Sequence, residues 1–185
     1  ITAAEGFLPN DREFRSTLVR IRDSNPDCIV LIAYYADAAT IVRQIRTMAL
    51  PQAIVAVSSV YSPKLIELGG EAVNGVHCST TFFPGEQRTE VQRFVTAFKA
   101  KYNRDPDTFN ATAYDTMVLV STLVNRYGTT RPAIRQGIAE VRGVPSVIFG
   151  TIQFDPETRR VAGARYKRLV VRDGQFQLFE GGTPS

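Results

Sequence analysis

The side chains best suited to chemistry in this sequence are tyrosines and serines that follow two apolar runs. They are Tyr34 and Tyr35 at the end of one run, and Ser58, Ser59 and Tyr61 after the next. Parallel strands present their carboxyl ends at one edge of a sheet, where helix N-termini also lie, so this set suits the binding of a small polar or aromatic ligand. The spacing leaves one alternative open, in which the tyrosines are core residues and the serines are helix caps.

The sequence carries no signature of catalysis or of cofactor binding. Neither of the glycine-rich phosphate-binding motifs is present, and neither is the nucleophile elbow of the hydrolases. The only histidine, His77, adjoins Cys78 in a strand-like run, where neighbouring side chains point to opposite faces and do not form a nucleophile–base pair. Two cysteines and one histidine do not make a zinc site. We therefore expect no catalytic residue, no metal and no cofactor, and we interpret His77 as structural.

The charge of the chain does not indicate a nucleic-acid partner. The net charge is +4, but most arginines are scattered among acidic residues along predicted helices. The one local basic cluster lies at 159–172 and is interpreted as exposed hairpin charge. Cys28 and Cys78 both lie in strand-like runs and are expected to be buried; the sequence does not decide whether they form a disulfide.

The first half of the chain alternates between predicted strands and helices. Strands are predicted at 1–7, 28–35, 53–57 and 75–83, and the continuous apolarity of the second and third predicts burial on both faces. The intervening helices are expected to be capped by Asn10 or Asp11, by Asp37 and by Ser62. Repeated strand–helix units predict an α/β fold with a doubly wound parallel sheet.

The second half of the chain is predicted to be helical and then to end in strands. Helices are predicted at 89–102, 111–126 and 131–141, and the apolar middle helix should be largely buried. Strands are predicted at 147–154, 165–172 and 175–179, the last two joined by the hairpin signal Asp173-Gly174, with a frayed tail at 180–185.

Short motifs spread over nearly the whole chain resemble the branched-chain amino acid and amide binding proteins of ABC transporters. These motifs are Ser24-Asn25-Pro26-Asp27, Ile41-Val42-Arg43-Gln44, the segments at 72–76 and 94–98, Ala113-Tyr114-Asp115-Thr116, the segment at 150–155 and Val171-Arg172-Asp173-Gly174. Their order and spacing carry the resemblance. It implies a type I periplasmic-binding-protein fold, in which two α/β lobes are joined by three crossovers and close on a ligand.

The resemblance also implies how this chain divides between the lobes. Residues 1–108 would form most of the second lobe, 109–160 part of the first lobe, and 161–185 would return to the second. Members of the family are substantially longer, so we expect the chain to be the C-terminal part of such a protein. The segment 109–160 would lack the sheet on which it packs, which predicts exposed apolar surface and self-association.

Two candidate site residues match positions that amino-acid binders of this family use. Tyr34 falls where they place a tyrosine that faces the cleft, and Ser58 falls where they place an acidic residue that pairs with the ligand ammonium. A buried ammonium without a carboxylate partner is costly, by several kcal/mol in order of magnitude. The serine therefore favours a neutral solute or an aromatic acid.

The sequence thus predicts a periplasmic or extracytoplasmic solute-binding protein, not an enzyme. Its partners would be a small-molecule solute and the membrane permease of an ABC transporter, with no nucleic acid. One alternative is a ligand-sensing domain of a receptor or transcription regulator with the same fold. A second is an enzyme with a Rossmann-like sheet, which the absent phosphate loop and acid–base pair disfavour.

Overall fold

The computed structural model describes residues 1–8 and 11–179, which form two compact units. The first unit comprises Ile1–Thr80 together with the chain from Lys167 onward, and the second is Thr81–Tyr166. Asn10, expected as a helix cap, and the tail expected at 180–185 lie outside the described residues. In the part of the chain that is described, no helix is both long and apolar enough to span a bilayer.

The first unit is built on a five-stranded sheet whose first three strands in spatial order are parallel. The strands are β1 (Cys28–Leu31), β2 (Ala53–Ala56), β3 (His77–Thr80), β6 (Lys167–Arg172) and β7 (Gln175–Leu178), adjacent in that order. β1, β2 and β3 are parallel, whereas β6 pairs antiparallel with β3 and β7 antiparallel with β6. The predicted α/β class with a parallel core is confirmed, and the sequence-distant β6–β7 hairpin makes the sheet mixed.

Three helices accompany the strands of this unit. α1 (Arg15–Asp23) precedes β1, α2 (Tyr35–Thr47) connects β1 to β2, and α3 (Pro63–Gly69) lies between β2 and β3. The buried residues of α2 are all apolar, and two of them, Val42 and Ile45, have no exposed surface. α3 begins as predicted: the Ser62 hydroxyl accepts a hydrogen bond from the Lys64 amide, and Pro63 occupies the first helical position.

Two predicted helix caps are wrong. α1 begins four residues after Asp11, whose carboxylate instead accepts the Leu8 amide at 2.8 Å. Asp37 lies in the first turn of α2, and the capping position belongs to Tyr34. An aspartate caps a helix only where the backbone leaves the helical conformation, and residue type does not reveal that point.

The predictions of strands buried on both faces are also wrong. β1 and β2 alternate, with Ile29 and Ile54 buried but Val30 68% and Val55 41% exposed, because helices of the described chain cover one face. Cys28 is exposed for the same reason, against the expectation of burial. The strand predicted at 1–7 is not formed, since in the described structure this segment pairs with no strand.

The second unit is mainly helical. It contains α4 (Thr89–Tyr102), α5 (Thr108–Tyr127) and α6 (Arg131–Glu140), followed by the two-stranded antiparallel sheet β4 (Val144–Ser146) and β5 (Gly150–Ile152). The strand predicted at 147–154 is therefore wrong in its bounds: residues 147–149 form the turn between β4 and β5. α5 opens with a reciprocal capping box, in which Asp107 and Asn110 each bond the other's backbone amide.

A buried aspartate holds the turn between β4 and β5. Asp115 of α5 is 4% exposed and accepts hydrogen bonds from the Ser146 hydroxyl at 2.5 Å and from the amides of Val147 and Ile148 at 2.9 and 3.2 Å. The Arg88 guanidinium donates to the carbonyls of Val147 and Ile148. The turn is thus fixed from both its amide and its carbonyl side.

The prediction that α5 is largely buried is wrong. Only Ala111, Asp115 and Leu123 are buried along this 20-residue helix, and Met117 is 65% exposed. The helix packs against α6 and β4, and near its N-terminus Ala111 and Tyr114 also contact α4. The expectation of exposed apolar surface in this segment is confirmed.

Candidate functional site

The predicted site residues in the first unit lie after the carboxyl ends of two neighbouring strands. β1 and β2 are parallel and in register, with Leu31 opposite Ala56, so both strands end at one edge of the sheet. Backbone and side-chain hydrogen bonds tie the two following segments together: the Val57 amide donates to the Leu31 carbonyl at 3.2 Å, and the Ser59 hydroxyl donates to the Ala33 carbonyl at 2.7 Å. These hydrogen bonds hold the segments after β1 and β2 in place relative to each other.

Tyr34 is the most exposed of the predicted site residues. It lies three residues beyond β1 in extended conformation, at the N-cap of α2, and is 64% exposed. This exposure excludes the core-tyrosine alternative for Tyr34. Its side chain makes no capping hydrogen bond with the first-turn amides of α2. Amides at a helix N-terminus favour a negatively charged or hydrogen-bond-accepting group.

Tyr35, a predicted site residue, and Asp37, which was predicted only as a helix cap, both belong to the first turn of α2. Tyr35 is the first helical residue and is partly buried, not the last residue of a strand. Asp37, which the sequence suggested only as a cap, places a partly buried carboxylate near the same edge. Its position three residues after Tyr34 is the signal that could have placed it in the candidate site.

Ser58 offers a hydroxyl that the protein does not use. Ser58 and Ser59 lie in a short 3-10 turn, Ser58–Val60, and both are partly buried. Ser59 is occupied by the Ala33 carbonyl, whereas the Ser58 hydroxyl forms no hydrogen bond with any described residue. Of the two serines, Ser58 is therefore the one with hydrogen-bonding capacity for a ligand.

Tyr61 is a packing residue in this structure. It is 5% exposed, and its ring meets the ring of Phe176 edge to face, with centroids 4.8 Å apart and planes at 82°. Phe176 belongs to β7, so this contact joins the loop after β2 to the antiparallel end of the sheet. The role predicted for Tyr61 in binding stays a prediction.

His77 and Cys78 lie on β3 away from any catalytic arrangement. The His77 ring packs edge to face on Phe179 at 4.6 Å, which agrees with a structural interpretation. Cys28 and Cys78 are free thiols, and burial raises the pKa of Cys78 to about 12, so it is an unreactive thiol at neutral pH. Within residues 1–8 and 11–179, no group of three potential metal ligands occurs.

The arrangement at the sheet edge is suited to binding. It offers an exposed aromatic ring at Tyr34, an unused hydroxyl at Ser58 and the N-terminal amides of α2. These groups can stack on an apolar ring, donate a hydrogen bond and stabilise a carboxylate.

Solved structures with similar folds include binding proteins and transporter components for branched-chain amino acids. A leucine binding protein, LivK, from Thermotoga maritima is 31% identical, with a TM-score of 0.83 over 94% of this chain and 49% of its own. A protein from Rhodospirillum rubrum assigned as a branched-chain amino acid ABC transporter is 36% identical, with a TM-score of 0.72 over 92% of this chain and 49% of its own. At 24% identity, the substrate-binding protein LivJ from Streptococcus pneumoniae, solved with isoleucine, shows the same fold, with a TM-score of 0.80 over 92% of this chain and 49% of its own.

The chain therefore spans about half the length of these relatives. No curated protein matches the sequence. The family model described as periplasmic binding protein matches residues 1–175, nearly the whole chain. With the type I periplasmic-binding fold shown by the structural matches, this chain belongs to the periplasmic binding protein family.

Proposed function

We propose that this chain acts in an extracytoplasmic solute-binding protein of an ABC importer, which captures a small polar or aromatic solute between two lobes. The closed form would then dock on a membrane permease. The observation that carries this proposal is the pairing of an exposed Tyr34 with an unused Ser58 hydroxyl at the edge where β1 and β2 end. In doubly wound sheets, ligands bind at this edge.

The groups at this sheet edge are suited to binding a solute and not to catalysing a reaction. The hydroxyls of Tyr34 and Ser58 can donate and accept hydrogen bonds, but neither has a histidine at this edge, because the only histidine of the sequence lies on β3 and packs on Phe179. Membership of a periplasmic binding protein family supports the extracytoplasmic location.

We propose the lobe assignment on the same basis, with 1–108 and 161–185 in the second lobe and 109–160 in the first. The antiparallel pairing of β6 with β3 supports the return of the last segment, because it completes the sheet begun by β1. The exposed face of α5 supports placing 109–160 in a different lobe, whose sheet would cover it.

The solute we propose is neutral or an aromatic acid. Ser58 supplies no negative charge for an ammonium group, whereas the N-terminal amides of α2 favour a carboxylate, and Tyr34 offers a ring surface. Asp37 is the acidic residue in the first turn of α2, and its carboxylate would favour an ammonium group over an anion.

The experiment is a thermal-stability screen with amino acids, amides and aromatic acids. It uses the 185-residue chain and, in parallel, the product of the complete open reading frame that encodes it. A solute that binds only the native state raises the melting temperature, and the stabilisation grows with the logarithm of its concentration relative to Kd. An aromatic or neutral hit supports the proposed class, an α-amino acid hit overturns the argument from Ser58, and no stabilisation by any solute contradicts the binding function.

A further inference from the structure

A groove lies wholly within the second unit, between α4 and α5. It has a volume of about 970 Å³, and the β4 residues Pro145 and Ser146 also line it. This volume is at the upper end of the range of about 300–1,000 Å³ found for small-molecule sites. The groove lies outside the unit that holds Tyr34 and Ser58.

The walls of this groove are a continuous series of aromatic rings. Along α4, the ring centroids of Phe94 and Phe98 are 5.8 Å apart, and those of Phe98 and Tyr102 are 4.5 Å apart. From α5, the Tyr114 ring lies 4.9 Å from Phe94, and Met117 completes the apolar lining. Tyr102 and Tyr114 are about half exposed, so these ring faces remain accessible from the groove.

The rim of the groove is positively charged. Arg93, Lys101 and Arg104 line it, against one acidic residue, Glu90. In the described chain no carboxylate forms an ion pair with any of the three cations, and Asp105 is engaged by Lys99 instead. Arg104 lies over the Phe98 ring at 4.9 Å, and Lys101 over the Tyr102 ring at 5.4 Å. The charges are thus held at the edges of the aromatic wall.

We propose that the groove between α4 and α5 binds an aromatic anion, a ring system that carries a carboxylate or sulfonate. The ring would stack on the half-exposed Tyr114, and the acid group would meet Arg93 and Lys101, which form no ion pair with a described residue. Three positive groups against one negative group favour an anion over a cation. The aromatic walls favour a ring over an aliphatic chain of the same charge.

The test uses two probes that share one ring system and differ in charge, naphthoate and naphthylmethylammonium. Isothermal titration calorimetry of the full chain should show saturable binding of naphthoate and none of the cationic probe. Reversing two rim charges with Arg93→Glu and Lys101→Glu should weaken naphthoate binding about tenfold or more. Both residues are exposed, so the substitutions leave the core intact, which circular dichroism and the melting temperature would verify.

A matched variant locates the binding. Arg131→Glu with Arg135→Glu makes the same change of net charge on exposed residues of α6 and should leave the affinity unchanged. The proposal is overturned if the chain does not bind naphthoate, if both probes bind equally, if the rim pair leaves naphthoate binding unchanged, or if the α6 pair weakens binding as much as the rim pair.

Discussion

At the scale of single residues, the clearest feature of the candidate site is a serine with unused hydrogen-bonding capacity. Ser58 lies on a turn whose neighbour, Ser59, is fixed to the loop after β1. A longer acidic side chain at this position would place a carboxylate at the same edge without removing an existing hydrogen bond.

Ser58→Glu should therefore raise the affinity for an α-amino acid such as leucine relative to a neutral solute, by about tenfold, because the ammonium gains an ionic partner. Titration calorimetry with leucine and an aliphatic amide measures the ratio. Ser121→Glu, an exposed serine on α5, adds the same charge elsewhere and is the control. Equal ratios for the two variants would show that Ser58 does not face the solute.

The buried Asp115 has a structural role in the second unit. Its carboxylate accepts hydrogen bonds from the Ser146 hydroxyl and from the amides of Val147 and Ile148, and replacing it by alanine removes the acceptor of the Ser146 hydroxyl and of the Val147 amide. The Ile148 amide keeps the Ser146 hydroxyl oxygen as its acceptor. Asp115→Ala should lower the free energy of unfolding by about 3 kcal/mol. Asp105→Ala, which removes an exposed ion pair with Lys99, should cost less than about 1 kcal/mol. Urea denaturation compares them, and similar losses would contradict the role assigned to Asp115.

The two thiols should differ in reactivity and in their effect on stability. Cys28 is exposed and should be alkylated by iodoacetamide in the native state, whereas Cys78 should react only on unfolding. Burial raises the pKa of Cys78 from 9.0 to about 12. The folded state therefore retains the proton longer than the unfolded state, so its contribution to stability is complete below the unfolded pKa and is lost as the pH rises towards the folded value.

Urea denaturation between pH about 8 and about 11 measures this loss. The decline in unfolding free energy should be shallower in Cys78→Val than in the parent chain, and Cys28→Ala should leave it unchanged. An equally steep decline in Cys78→Val, or alkylation of both native thiols, would contradict the burial of Cys78.

At the scale of elements, α5 shows that an apolar sequence pattern can predict a helix without predicting how much of the helix is buried. Its apolar composition predicted a buried helix, and its bounds were predicted to within a few residues, but most of its surface is exposed. Periodicity reports which side chains can be buried, whereas burial itself depends on which elements are present to cover them. Phe109 and Val120 lie on one face of the helix and are 45% and 41% exposed.

We propose that this face of α5 makes the 185-residue chain self-associate. Phe109→Glu with Val120→Glu should reduce association in sedimentation velocity, because it places two charges on the apolar face. Arg126→Glu with Asn125→Glu alters exposed positions on the same helix and should leave association unchanged. A monomeric parent chain would contradict the prediction.

At the scale of the whole molecule, the sequence predicted the α/β class and the order of most elements. α4 was predicted with its observed bounds, and the hairpin at Asp173-Gly174 formed as expected, with both residues at positive φ. Local signals determine such elements. The strand predicted at 1–7 failed, because a strand forms only beside a partner, and β4 was missed because it is three residues long and contains Pro145.

The candidate site was predictable in position but not in detail. The strand-end rule and the family resemblance indicated Tyr34 and Ser58, and the structure brings both to one sheet edge. The burial of Tyr61 against Phe176 could not be predicted, since its partner lies more than a hundred residues away in the chain. The occupation of Ser59 by a carbonyl depends likewise on a contact between two loops.

The measurement that tests the central claim most directly is the Kd of the solute found by the stability screen, compared between the parent protein and Tyr34→Ala. Tyr166→Ala is the control, because Tyr166 is 66% exposed and Tyr34 is 64% exposed. If the edge after β1 and β2 is the solute site, Tyr34→Ala should weaken binding about tenfold or more, while Tyr166→Ala leaves it unchanged. An unchanged Kd in Tyr34→Ala would contradict the assignment of the site.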